Sequence, residues 1–367
     1  MIIPLTSKPR KSKQAMHNSK SMLTKRQIEN FRFGHCCFIG LSLFASSVLA
    51  QSSNTNANNA VPARAASVAT AQAINSIVVQ NPFSNQGGFR MRLGENSSTK
   101  TPVFSNRDAQ NSNEQVIGMA AGDSSNWSIW ATPVYSGFRN NISPYTSNGN
   151  VALGLAGLEY NHNDVLISGI SLALDSTRSN TNYNGGTYRS TGVTVSPYMV
   201  YQINNDWMTD LSAGFGSSKP NTSSATYGTG NTSADRFFAS VGLTNRTELG
   251  KSWVISPRIN HSYYRDHLDA YTSSTNTVNS ALTSYLHQTK LGGTLTHENP
   301  GFSPFISAFQ LFNTQKYSAS GTSPSVYPSS YQMLAGINLS KGMFYGTTAF
   351  QVEKGASQFR IYGGIRF

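Results

Sequence analysis

The densest group of reactive side chains in this chain is a nine-residue stretch holding His261, Ser262, Asp266, His267 and Asp269. An imidazole, a hydroxyl and carboxylates are the ingredients of nucleophilic acyl transfer, in which a base must lie within hydrogen-bond reach of the nucleophile. Ser is so abundant here that a hydroxyl beside a histidine is expected by chance. No Gly-x-Ser-x-Gly elbow or phosphate loop accompanies the stretch. His162, His287 and His297 add no metal-ligand spacing and no His-Glu-x-x-His. No catalytic residue, metal site or cofactor is therefore expected.

The formal charge of +12 would suit a nucleic-acid partner if it were gathered into a patch. Instead, residues 1–50 carry eight Lys or Arg against Glu29 alone, a net +7, which leaves +5 for the other 317 residues. No nucleic-acid partner is expected. The same stretch ends in an apolar run, CCFIGLSLFASSVLA, closing on Val48-Leu49-Ala50. A basic region, a short apolar run and small residues are the parts of a secretory signal peptide, removed on export. Cleavage is expected after Ala50, with Met1, Met16 and Met22 as alternative starts. Both cysteines, Cys36 and Cys37, fall inside this signal, so the mature chain would build neither disulfides nor cysteine metal sites.

Only 12% of the residues are charged, against about 25% in an ordinary soluble domain. No apolar stretch reaches the roughly 20 residues of a spanning helix. Strands can still cross a membrane, because their alternation hides apolar residues from hydropathy averages. Residues 51–117 read as a short N-terminal helical or disordered segment. Gln51 to Asn59 has nothing to bury and is expected to be disordered. Ala63 to Gln80 reads as a helix, with Pro62 in its first turn and Asn81-Pro82 as its stop; a linker follows.

From Trp127 the chain turns repetitive. Trp207, Thr209, Leu211, Ala213 and Phe215 alternate with Met208, Asp210, Ser212 and Gly214, which puts a mostly apolar row on one face of a strand. Twelve such segments follow one another, roughly 127–138, 151–161, 165–175, 190–203, 207–217, 234–248, 252–265, 283–297, 303–316, 330–340, 343–353 and 357–367. Short connections alternate with long ones rich in Ser, Thr, Asn and Gly; the last long position is taken by the short Lys354-Gly355-Ala356. A soluble sandwich has no reason to place its long loops at one end, whereas an outer-membrane barrel has short periplasmic turns and longer outside loops. The expected fold is all-β, a twelve-stranded antiparallel transmembrane β-barrel over residues 118–367.

In such a barrel the alternation turns Arg236, Arg246, Glu248, Arg258, Lys290, Glu353, Arg360 and Arg366 toward the lumen. There they could brace and hydrate the wall or hold a threaded segment. Twelve strands leave a lumen wide enough for one helix. The last strand, SQFRIYGGIRF, puts Phe359, Ile361, Ile365 and Phe367 on its outward face.

These features resemble the autotransporter β-domain family. The segment GMAAGDSSNWSIWATPVYSGF, Gly118 to Phe138, is similar to the family's approach to its first strand, and YGGIRF is similar to its closing strand. The resemblance implies a monomeric barrel lodged among outer-membrane lipids. It also implies that the assembly machinery reads the closing strand, and that the barrel exports or displays the segment before it. Fewer than seventy residues stand there, without the long repetitive passenger common in the family. A passive diffusion channel with a lumenal plug is the alternative, and an outer-membrane enzyme with a rim site a third reading.

Overall fold

Alternation decides which residues become wall and which become lining. In β1 (Trp127–Asn140), Trp127, Ile129, Ala131, Pro133 and Tyr135 face outward, and Ser128, Trp130, Thr132, Val134 and Ser136 are buried inside. The same two-residue period runs through β2 (Ser147–Asn163), β3 (Leu166–Thr181), β4 (Gly186–Gln202), β5 (Trp207–Ser224) and β6 (Ala234–Asn245). It continues in β7 (Trp253–Leu268), β8 (Leu282–His297), β9 (Phe302–Tyr317), β10 (Ser329–Lys341), β11 (Phe344–Glu353) and β12 (Ala356–Arg366). This computed structural model describes residues 55–80 and 127–366, apart from turn positions 164, 183–184, 251, 300, 320–321 and 342–343. The expected signal at 1–50, the linker, the approach segment before Trp127 and the terminal Phe367 lie outside the described residues.

Every strand pairs antiparallel with its sequence neighbours, and β12 returns to pair with β1, from Ser128 opposite Arg366 to Phe138 opposite Ala356. The sheet is thus a closed twelve-stranded barrel. Closure leaves no backbone edge, which in hydrocarbon would cost several kcal/mol per unpaired group. Outside stand large apolar side chains such as Leu174, Phe215 and Phe350, each more than half exposed. Trp127, Trp207 and Trp253 begin β1, β5 and β7 facing outward, and Phe302 and Phe344 begin β9 and β11. Trp has an apolar body and a polar N–H, and a ring of aromatic side chains at the short-turn end is the girdle of a membrane barrel.

Phe359 and Ile361 stand outward on β12, each a little under half exposed, as alternation requires. The side chains of Ile365 and Phe367 lie outside the described residues. Because β12 holds both β11 and β1, deleting residues 357–367 would expose two edges at once. We expect such a chain to lack the heat-modifiable form that a folded barrel gives on cold and boiled gels.

The N-terminal segment departs from expectation. The helix α1 spans Thr55–Gln80, so it begins inside the tract read as disordered and makes Pro62 an interior residue rather than a first-turn one. The reason is tertiary. Asn56, Asn58 and Asn59 are buried, and Asn56 Nδ2 donates to the carbonyls of Asp269, at 3.1 Å, and Ser280, at 2.8 Å. Between these asparagines, Ala57, Ala60 and Val61 pack against Tyr145, Tyr188, Leu268 and Leu282, which gives the tract the apolar contacts it lacks in water.

Candidate functional site

α1 has no exposed face: from Asn56 to Ile77 its described side chains are buried or half-buried all the way round. A helix covered on every side must be enclosed. It touches β1 through β8 and so occupies the lumen. At about 1.5 Å per residue its 26 residues are roughly 39 Å long, enough to run through the barrel. Its N-terminal end meets the long β7–β8 connection through Asn56. Its C-terminal half packs Ala71, Ala73, Ile74 and Ile77 against Trp130, Tyr198, Met208, Phe238, Tyr264, Tyr345 and Tyr362. The helix therefore runs from the long-loop end to the short-turn end.

Polar contacts fix it at several heights. Near the middle, Ser67 Oγ donates to Asp266 of β7, and Arg64 donates to Ser325 Oγ at 2.9 Å and to its carbonyl at 3.2 Å. Gln72 accepts from Gln351 Nε2 of β11 at 2.9 Å. Lower down, Asn75 bridges two strands, donating to Ser240 Oγ of β6 and accepting from Ser212 Oγ of β5, both at 3.1 Å. The floor is aromatic: Trp130 Nε1 donates to Tyr198 Oη at 2.8 Å, and Tyr198 donates to Glu159 Oε1 at 2.6 Å.

Several charges expected inside are found there with acid partners. Arg236 Nη1 lies 2.6 Å from Asp175 Oδ2, both side chains almost wholly buried. Arg258 grips Asp210 with two bonds, 2.6 and 3.0 Å, and donates to Thr244 Oγ1 at 2.7 Å. Two parallel N–H···O bonds on a carboxylate form the strong, orienting geometry of arginine. The pair reaches across β6 at Gly242, where any Cβ would collide with Asp210 Oδ2 and Arg258 Nη2. Gly192 of β4 leaves the same room for Asp175 and Arg236. Arg360 is buried and faces Gln358 Oε1 at 3.5 Å. Lys290 Nζ is 3.4 Å from Gln332 Oε1, and Gln332 Nε2 donates to Glu353 Oε2 at 3.1 Å.

Arg246 is buried and binds Glu298 through two contacts of 3.0 Å, as well as Glu248 at 2.6 Å. Glu248 itself is mostly exposed, which corrects its expected lumenal position. β6 ends at Asn245, and Glu248 sits in a separate two-residue strand with Thr247, so the alternation counted from β6 no longer applies. The Arg366 side chain lies outside the described residues.

The reactive stretch in β7 assembles only in part: His267 Nε2 lies 3.3 Å from Asp269 Oδ1 and its Nδ1 2.8 Å from Thr283 Oγ1, but Ser262 is not among them. His261 is exposed on the outer face, 3.0 Å from Thr289 Oγ1, whereas Ser262 is buried inside among Ser240 and Asn260. Neighbours in a strand point to opposite faces, so this pair cannot act together. Among the described residues no three His, Cys, Asp or Glu side chains converge as a metal site.

The acid partners Asp175, Asp210 and Glu298 and the helix anchors Ser67, Gln72 and Asn75 were not singled out in the sequence. Alternation could have found the first two, since Asp175 follows the outward Leu172 and Leu174, and Asp210 lies between the outward Thr209 and Leu211. Nothing local marks the helix residues.

An apolar exterior, an aromatic girdle, a closed even-numbered sheet and a lumen filled by the chain's own preceding helix define an outer-membrane β-barrel of the translocator type. The chain belongs to the autotransporter β-domain family, whose model matches residues 129–364. No curated protein sequence matches it. Three solved structures share the fold at low identity. The β-domain of the Bordetella autotransporter BrkA is 15% identical, with a TM-score of 0.54, over 66% of this chain and 100% of that one. The translocator domain of autotransporter NalP from Neisseria meningitidis is 11% identical, with a TM-score of 0.57, over 66% and 89%. The transport unit of autotransporter AIDA-I from Escherichia coli is 14% identical, with a TM-score of 0.52, over 69% and 94%.

Proposed function

We propose that this chain is exported behind a signal peptide cleaved near Ala50, and that its last strand is read by the outer-membrane assembly machinery. The barrel then inserts as a monomer among outer-membrane lipids, with its long loops outside. It draws the segment before β1 through its own lumen and keeps α1 there, so that the residues just before Thr55 reach the cell exterior. The direction of the helix carries this reading: its N-terminal end lies among the long loops and its C-terminal end at the aromatic floor. The chain does no chemistry on a substrate; its work is translocation and retention.

The mature chain has no cysteine of its own, so single cysteines report their location directly. Ser53→Cys should react with a membrane-impermeant maleimide on intact cells, and Asn81→Cys only after the outer membrane is permeabilised. The opposite pattern would refute the reading.

A further inference from the structure

The outward rows end differently at the two rims. At the short-turn end they finish in Trp127, Trp207 and Trp253. At the long-loop end several carry cations, while that of β6 carries Asp235. Arg178 of β3, Arg189 of β4 and Lys219 of β5 are all exposed on the outer face. Each stands four residues beyond an exposed apolar side chain of its own strand, Leu174, Val193 and Phe215 respectively. Four residues of strand advance about 13 Å, or roughly 10 Å along the axis of a barrel whose strands tilt by about 40°, enough to carry a side chain from the apolar band into the headgroup layer or beyond it. Arg139 and Lys316 keep the same offset from Tyr135 and Phe312 on β1 and β9.

Arg178 and Arg189 are direct register partners, and Lys219 pairs with Thr191, one outward position along β4 from Arg189. Like charges opposite one another in a sheet repel and destabilise it. Asp235, exposed on the outer face of β6 opposite Ser217, lies diagonal to Lys219, but among the described residues no carboxylate faces the Arg178–Arg189 pair. The facing residues are Asn150 and Asn221, and Asp175 is turned inward onto Arg236. Among the described residues no carboxylate makes an ion pair with any of the three. Three cations, flanked by amides and by the hydroxyls of Thr187 and Ser223, form a concave-free but dense set of donors at headgroup height. An anionic oxygen cluster is what such a set lacks.

We propose that Arg178, Arg189 and Lys219 dock the phosphate of a phosphorylated glycolipid in the outer leaflet, with its acyl chains lying along the apolar rows beneath. Phosphate accepts several charge-assisted bonds from guanidinium groups at once, and a sugar headgroup uses the amides and hydroxyls beside them. The assignment of leaflet rests on the proposed orientation with long loops outside.

The test is native mass spectrometry of the folded, full-length mature barrel in neutral detergent, titrated with diphosphorylated lipid A. Wild type should retain lipid A adducts. The Arg178→Gln/Arg189→Gln/Lys219→Gln variant should bind about tenfold more weakly, as loss of charge-assisted bonds implies. Lys341→Gln, at the other rim, should bind like wild type, and dephosphorylated lipid A should bind neither protein. If the triple variant fails to give a heat-modifiable form, Arg189→Gln alone should still weaken binding. Unchanged binding by the folded variants, equal binding of dephosphorylated lipid A, or equal retention of phosphatidylglycerol would overturn the proposal. Binding in detergent does not depend on orientation, so a reversed maleimide pattern with intact lipid A binding would fault the orientation alone.

Discussion

Removing residues 55–80 is expected to convert a nearly silent barrel into an open one. The helix and its side chains occupy a cylinder about 10–12 Å across, and most of the lumen's lining touches it. With α1 gone, the walls are left with Ser, Thr, Gln and paired charges, which water can solvate. Conductance in planar bilayers should rise by about tenfold or more, as for a lumen changing from filled to aqueous. The barrel should still assemble, because its twelve strands pair with one another and the helix adds no strand. Unchanged low conductance in a correctly folded deletion variant would mean that the loops or the aromatic floor, not α1, close the pore.

The second large effect is expected at Arg258. Replacing it by Met leaves the Asp210 carboxylate, whose side chain is 1% exposed, without its cation. Breaking a buried pair from one side costs about 3–5 kcal/mol, because the surviving charge is stranded. The midpoint of the cold-to-boiled gel transition should fall markedly in Arg258→Met. Arg258→Met combined with Asp210→Leu should recover most of the loss, since the stranded charge is gone. If the double variant is as unstable as the single one, the pair is doing something other than neutralising itself, such as holding the β5–β7 wall in register over Gly242.

The strands were legible because the membrane imposes a simple code. Outward residues must be apolar, so β5 shows as Trp207, Leu211 and Phe215 against Asp210 and Ser212. The code stops where the lipid stops. β5 continues to Ser224 through SSKPNTSS, a stretch with no apolar row, and the sequence reading ended it near residue 217. The short-turn starts of β1, β5, β7, β9 and β11, marked by Trp or Phe at the girdle, were placed within a residue. Lumenal charges were legible as a phase, since alternation turns Arg236 and Arg258 inward. Their partners were not, because Asp175 and Arg236 meet across two intervening strands. α1 was half legible. Ala63 to Gln80 has helical composition, but Thr55 to Val61 is helical because the barrel packs Ala57, Ala60 and Val61 against Tyr188, Leu268 and Leu282 and the β7–β8 loop accepts from Asn56. Glu248 was misread because a break in β6 resets the phase, and no local residue announces that break.

Export and plugging both depend on α1 lying inside the barrel of a membrane-embedded chain. This placement is tested most directly by pairing Ser67→Cys with Asp266→Cys and oxidising, or bridging with a short bis-maleimide, in isolated outer membranes. Those side chains are hydrogen-bonded here, one on the helix and one on β7. Efficient cross-linking is expected in the heat-modifiable protein, visible as altered migration once the chain is unfolded, and none in either single variant. A folded, membrane-embedded double variant that does not cross-link would place the helix outside the lumen.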